Sequence, residues 1–216
     1  MQELTTIQLL IVLAPPLLLA ITLHEVAHGW MALRCGDNTA QSQGRLSLNP
    51  IRHIDPIGTV LVPGLLAVFG GFIFGWAKPV PVDYHRLRQP KRDMALVAMA
   101  GPGANLLMAL GWALVAAIGH GALGSASGWG EPLLLMGGYG VTINVMLGVL
   151  NMLPIPPLDG SRVLAGVLPD RYGQWMAQVE PYGLIILVAL LAFGLFNVLM
   201  PIIISIRHFI LSLFLL

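Results

Sequence analysis

Five stretches of this chain contain no Asp, Glu, Lys or Arg: residues 4–24, 56–77, 94–130, 132–158 and 181–206. Each is long enough to cross the hydrocarbon core of a bilayer, which takes about 20 helical residues. Only 10% of the 216 residues are charged, against about 25% in soluble domains, and the mean hydropathy is +0.81. In lipid every backbone amide must be satisfied internally, so such stretches fold as helices. The expected fold is therefore an all-α multi-pass membrane protein of about four to six hydrophobic segments, with a re-entrant hairpin and short membrane-associated β-strands. Residues 1–216 read as one domain, its core at about 6–168 and a C-terminal hydrophobic segment at 182–216. Cys35 is the only cysteine, which excludes an intrachain disulfide. No basic, aromatic-interleaved patch suggests a nucleic-acid partner. The first segment lacks a basic leader and a small-residue cleavage site, so it is expected to be retained.

Within the first segment lies His24-Glu25-Val26-Ala27-His28. Four residues apart on a helix, His24 and His28 project from one face, where both imidazoles can reach one metal ion. Glu25 beside them is placed to take a proton from a water at the metal's open position, as a metal-assisted hydrolysis requires. Ionisable groups within a span cost roughly 2.5 kcal/mol or more and mark functional sites by default.

The first segment, about residues 6–33, contains Pro15-Pro16, expected to kink or interrupt it before the motif. Residues 43–50 alternate polar and apolar side chains and read as a short strand or hairpin. The second segment, 57–76, is broken by Pro63-Gly64 and Gly70-Gly71. The third begins after Asp93, and the fourth runs from about 133 into Pro154-Ile155-Pro156-Pro157-Leu158-Asp159-Gly160. The region from 182 reads either as one span with an interfacial helix or as two short spans. Ten of the eleven basic residues fall in the loops after the first, second and fourth segments. The positive-inside rule puts all three loops in the cytoplasm, and this requires residues 57–76 to enter and leave on the same side.

A catalytic zinc usually takes a third protein ligand, and Asp159 is the best candidate, although Leu-Asp-Gly alone also fits a turn. With that topology the C-terminal ends of the first and fourth segments share one side, so His24, His28 and Asp159 can meet. Two histidines and a carboxylate suit zinc and also iron. His53 and Asp55 are expected to hold the second segment against the first, and His85, His120 and His208 to be surface or interfacial. Asn105 and Asn144, inside spans, need hydrogen-bond partners: Asn105 near the site, Asn144 between helices.

The His24–His28 motif, Gly101-Pro102-Gly103-Ala104-Asn105 and the stretch from Asn151 to Gly160 resemble the signature set of the site-2 protease family, the M50 intramembrane metalloproteases. The segments 44–50, 53–59 and 74–82 resemble its compact bacterial and archaeal branch, without the PDZ or CBS domain of other members. The resemblance implies one zinc ion per chain held by His24, His28 and Asp159, with Glu25 as the base. It implies that Asn151 holds the substrate backbone or stabilises the oxyanion. It also implies a multi-pass protein of the prokaryotic plasma membrane that cleaves transmembrane helices of other proteins near the cytoplasmic face. Lys78, Pro79 and Val80, extended by their prolines, either take the unwound substrate onto a sheet edge or form a loop covering the site. The rival readings are a membrane metal-binding or transport protein and a catalytically silent family member acting as a binding module.

Overall fold

The computed structural model describes residues 5–62, 64–65, 75–123 and 128–214. Seven helices carry the architecture: α1 (Thr6–Arg34), α2 (Pro90–Gly121), α3 (Gly130–Asn151), α4 (Asp159–Val167), α5 (Asp170–Val179), α6 (Gly183–Ala192) and α7 (Leu195–Ser212). By length and composition five spans are available: α1, α2, α3, the continuous stretch Asp170–Ala192, and α7.

Helix α1 starts at a capping box, in which Gln8 N–H donates to Thr5 Oγ1 (3.3 Å) and Thr5 N–H to Gln8 Oε1 (2.9 Å). Of the kink or interruption expected at Pro15-Pro16, no interruption occurs: α1 is one helix through both. Each proline removes a single donor, and the intact turns on either side carry the helix across.

Helices α2 and α3 form an antiparallel pair seamed by glycine. A Cβ on Gly119 would lie 2.3 Å from Leu134 N, one on Gly137 2.4 Å from Ala116 N, and one on Gly140 2.3 Å from the Trp112 ring. Side chains larger than hydrogen would push these backbones apart. On one side α7 adds Leu199, Ile203 and Ile210 to a core with Ala109, Ala113, Val141 and Val145. On the other, α1 packs against both helices of the pair, and α4 packs against α2.

The middle of the expected hairpin at 57–76 lies outside the described residues, but its ends are described and they meet. Trp76 N–H donates to Gly58 O (3.0 Å), and Thr59 Oγ1 donates to Trp76 O (2.8 Å). The segment therefore leaves and returns at one place. His53 and Asp55, expected to hold this segment against the first, bond locally at its entrance: His53 Nε2 lies 2.9 Å from Ser47 O, and Asp55 caps the turn over Pro56–Leu61 by accepting from Ile57 N and Gly58 N.

No strand forms among the described residues. Around Arg45 the backbone closes turns instead, Arg45 N–H donating to Ala40 O and Gly44 N–H to Gln41 O. Residues 76–83 form an extended strap that bonds to a different partner at each step. Lys78 N–H donates to His53 O (2.9 Å), Lys78 O accepts from Arg45 (2.8 Å), and Val80 N–H donates to Glu25 Oε2 (2.8 Å). With no single neighbouring chain, there is no ladder.

The strap ends at Asp83, whose N–H donates to Asp37 Oδ2 (2.7 Å). Asp37 is fully buried just beyond α1 and also accepts from Thr39 N (2.9 Å) and Thr39 Oγ1. Burial pushes its carboxyl up, but the Thr39 and Asp83 hydrogen bonds and the Arg86 charge outweigh this and hold it below its ordinary value. A group more acidic in the folded state stabilises that state above the unfolded pKa, and its contribution is lost as pH falls through the folded one. Asp37→Asn should thus lower stability by about 2 kcal/mol at neutral pH and flatten the acid limb below about pH 4, read by thermal unfolding in detergent across pH.

Candidate metal centre

The side chains that meet come from the two ends of the sequence. His24 and His28 lie one turn apart on α1, and Asp159 opens α4 directly after the proline-rich break that follows α3. The ring Nε2 atoms of the two histidines are 3.0 Å apart, and Asp159 Oδ2 lies 3.2 Å from His24 Nε2 and 3.4 Å from His28 Nε2. His24 and Asp159 are each 8% exposed.

The protons on these atoms can be assigned from what stands behind them. His28 Nδ1 lies 2.7 Å from Val97 O, and a carbonyl only accepts, so Nδ1 holds the proton and Nε2 presents a lone pair. His24 Nδ1 faces Asn105 Oδ1 at 2.5 Å, which leaves its Nε2 in the same state. Asp159 Oδ2 is buried without a hydrogen-bond partner. Three lone pairs thus converge with no proton between them, an arrangement that repels itself unless a cation sits among them. The donor set, two imidazoles and a carboxylate, fits a divalent ion of the zinc class with room for a further ligand. This is the one cluster of three metal-ligating side chains among the described residues.

Gly101 makes the approach possible. A Cβ there would lie 2.4 Å from His28 Nε2 and 2.6 Å from His24 Nε2, inside the space of the rings. Gly101→Ala should therefore weaken metal binding by about ten- to a hundredfold, the scale of a displaced ligand shell, measured by competition with a chelator.

The site opens into a cavity of about 340 Å³. Glu25 lines it with the ligands, its Oε2 held by the Val80 N–H. Because Pro79 and Pro81 have no N–H, this is the only backbone donor among those three residues, and it is spent on Glu25. Of the strap residues singled out in the sequence, Pro79 and Val80 line the cavity, whereas Lys78 is not among its lining residues. Asn151 lines it too, with its Nδ2 donating to Leu147 O of its own helix (3.0 Å). The lining also includes Leu184 and Leu187 of α6, together with Arg162 one turn along α4 from Asp159. Arg162 pairs with Glu180 at 3.3 Å. The sequence did not single out Arg162, Leu184 or Leu187 for the site; Arg162, three residues past a candidate ligand on a helix, carried the only signal. His85, His120 and His208 are exposed, as expected.

The fold is that of a multi-pass membrane protein, and it gathers two histidines and a carboxylate as a metal ion could use them, with Glu25 lining the same cavity. Comparison with known proteins agrees. A profile of peptidase family M50 matches residues 124–194, which include Asn151 and Asp159. The chain is 37% identical over 175 residues to YwhC of Bacillus subtilis, a candidate zinc metalloprotease, covering 81% of this chain and 77% of that protein. It is 31% identical over 179 residues to Rip2 of Mycolicibacterium smegmatis, similarly named, covering 81% of this chain and 64% of Rip2. No solved structure matches significantly. The chain belongs to peptidase family M50, the site-2 protease family of membrane metalloproteases.

Proposed function

We propose that this protein is an intramembrane zinc endopeptidase that hydrolyses transmembrane helices of other membrane proteins near the cytoplasmic face. The observation that carries the reading is the convergence of His24 Nε2, His28 Nε2 and Asp159 Oδ2 within 3.4 Å, with Glu25 in the same cavity. A zinc ion, when bound, acidifies a water and polarises the scissile carbonyl. Glu25 takes a proton from the attacking water as its oxygen bonds to the carbonyl carbon, and delivers it to the amine as the C–N bond breaks. The Val80 N–H fixes one Glu25 oxygen and leaves the other for this exchange. Asn151 serves the substrate backbone or the oxyanion once its amide turns from Leu147 O. Pro79 and Val80 form the wall along which an unwound substrate lies. The cytoplasmic orientation rests on the basic loops, and the joined ends of segment 57–76 are consistent with it. The lipid bilayer is then both the protein's environment and the source of its substrates. A transport site would call for further ligand clusters along a path, and the described residues hold one cluster.

The test is cleavage of single-pass reporter proteins in proteoliposomes, before and after removal of metal by a chelator. Chelation should abolish cleavage, and one equivalent of zinc should restore it. Cleavage that persists in metal-depleted protein would rule the reading out.

A further inference from the structure

Two buried amides stand behind His24 in a line. Asn144 Nδ2 donates to Gly140 O (2.9 Å), Asn105 Nδ2 donates to Asn144 Oδ1 (2.9 Å), and Asn105 Oδ1 faces His24 Nδ1. Both asparagines are 0% exposed. Neither touches the cavity, and the hydrolysis uses neither.

An amide viewed alone has two orientations, related by exchange of its oxygen and nitrogen, but this line admits one. It starts at Gly140 O, which only accepts. That fixes Asn144 with its nitrogen toward Gly140 and its oxygen toward Asn105. Asn105 must then turn its nitrogen to Asn144 and its oxygen to His24, so the proton of His24 belongs on Nδ1 and the lone pair on Nε2. If Asn105 reversed, its NH₂ would face Nδ1, the proton would move to Nε2, and the atom aimed at the metal would carry a hydrogen instead of a lone pair. The Asn105 amide has one further partner, Ala20 O, at 3.4 Å, a long bond that favours the same orientation weakly.

We propose that Asn144 is a positioning residue for the metal centre, selecting through Asn105 the tautomer of His24 that can bind the ion. The proposal rests on the reading of His24 as a ligand. It makes a residue two hydrogen bonds from the nearest ligand a determinant of metal affinity. Its class of action is outer-shell orientation of a ligand imidazole, whose loss typically costs ten- to a hundredfold in affinity.

The test uses the full-length protein in detergent, with zinc affinity measured by chelator competition and the ring tautomer of His24 read from its ¹⁵N shifts in metal-free protein. Wild type should show the Nδ1-protonated ring. Asn144→Leu, close in shape but unable to accept, should bind zinc about tenfold more weakly and show a mixed tautomer. Asn144→Asp should stay within about threefold of wild type, because a neutral buried carboxyl accepts from Asn105 and donates to Gly140 O. A merely structural role would lower the melting temperature and leave the tautomer and affinity unchanged, which would overturn the proposal. If Asn144→Leu does not fold, Asn144→Val serves, and an Nε2-protonated His24 in wild type overturns the proposal without any variant. Failure of wild-type protein to bind zinc at all would instead sink the ligand reading beneath it.

Discussion

Glu25→Gln is expected to keep a full complement of zinc while lowering peptide-bond hydrolysis by about a hundredfold or more, the usual scale of a general base. Glutamine occupies the same volume, and its Oε1 can still accept the Val80 N–H that holds Glu25 at 2.8 Å. What it lacks is the oxygen that takes up the water's proton. The ligand cluster of His24, His28 and Asp159 does not include residue 25, so metal content should not follow activity. Reporter cleavage and elemental analysis on one preparation make the comparison. A variant that turned over at the wild-type rate would remove Glu25 from the role of base.

Asp159→Ala should fail in the other way, by losing the metal. Without the carboxylate the two imidazoles remain, and two neutral ligands hold zinc poorly. The loss should exceed the ten- to a hundredfold typical of an outer-shell partner, so purified protein should contain little zinc. Asp170→Ala is the matched control: Asp170 is exposed and pairs with Lys91 at 2.7 Å, and its removal should leave zinc in place. Zinc retained at one per chain in Asp159→Ala would move the third ligand elsewhere.

Much of this site was legible because it obeys a short period or a steric rule. His24 and His28 were readable from helical spacing alone, and Asp159 from the need for a third ligand on the side where the first and fourth segments end. The basic loops called for residues 57–76 to return to the side they leave, and the described ends, Gly58 and Trp76, meet as such a return requires. Other contacts depend on tertiary placement that no local pattern carries. The Val97 carbonyl behind His28 belongs to a helix 69 residues away in sequence. The grip of Val80 on Glu25 spans 55 residues and uses a backbone amide, which looks the same at every position of a sequence. The alternation at 43–50 suggested a strand, yet those backbone groups close turns and bond to side chains. Periodicity reports which face is apolar and says nothing of whether a partner strand is present. Asn105 and Asn144 were legible as needing partners, but not as partners of each other and of His24.

The glycine seam between α2 and α3 works as a vernier. Gly119 against Leu134, Gly137 against Ala116 and Gly140 against Trp112 leave the two helices one sliding position, since a shift along the axis would drive backbone into backbone at the first two and into the indole ring at the third. That position is also the one that sets Asn144 opposite Asn105 and brings the end of α3 to the level of His24. Alignment of the reactive groups is therefore decided by hydrogen-sized gaps among apolar residues, several of them turns away. A methyl group added at Gly137, two turns from Asn144, amounts to a change at the metal. Lipid-facing positions such as Leu107 and Ile118, 72% and 57% exposed, are free to drift, whereas the seam is not.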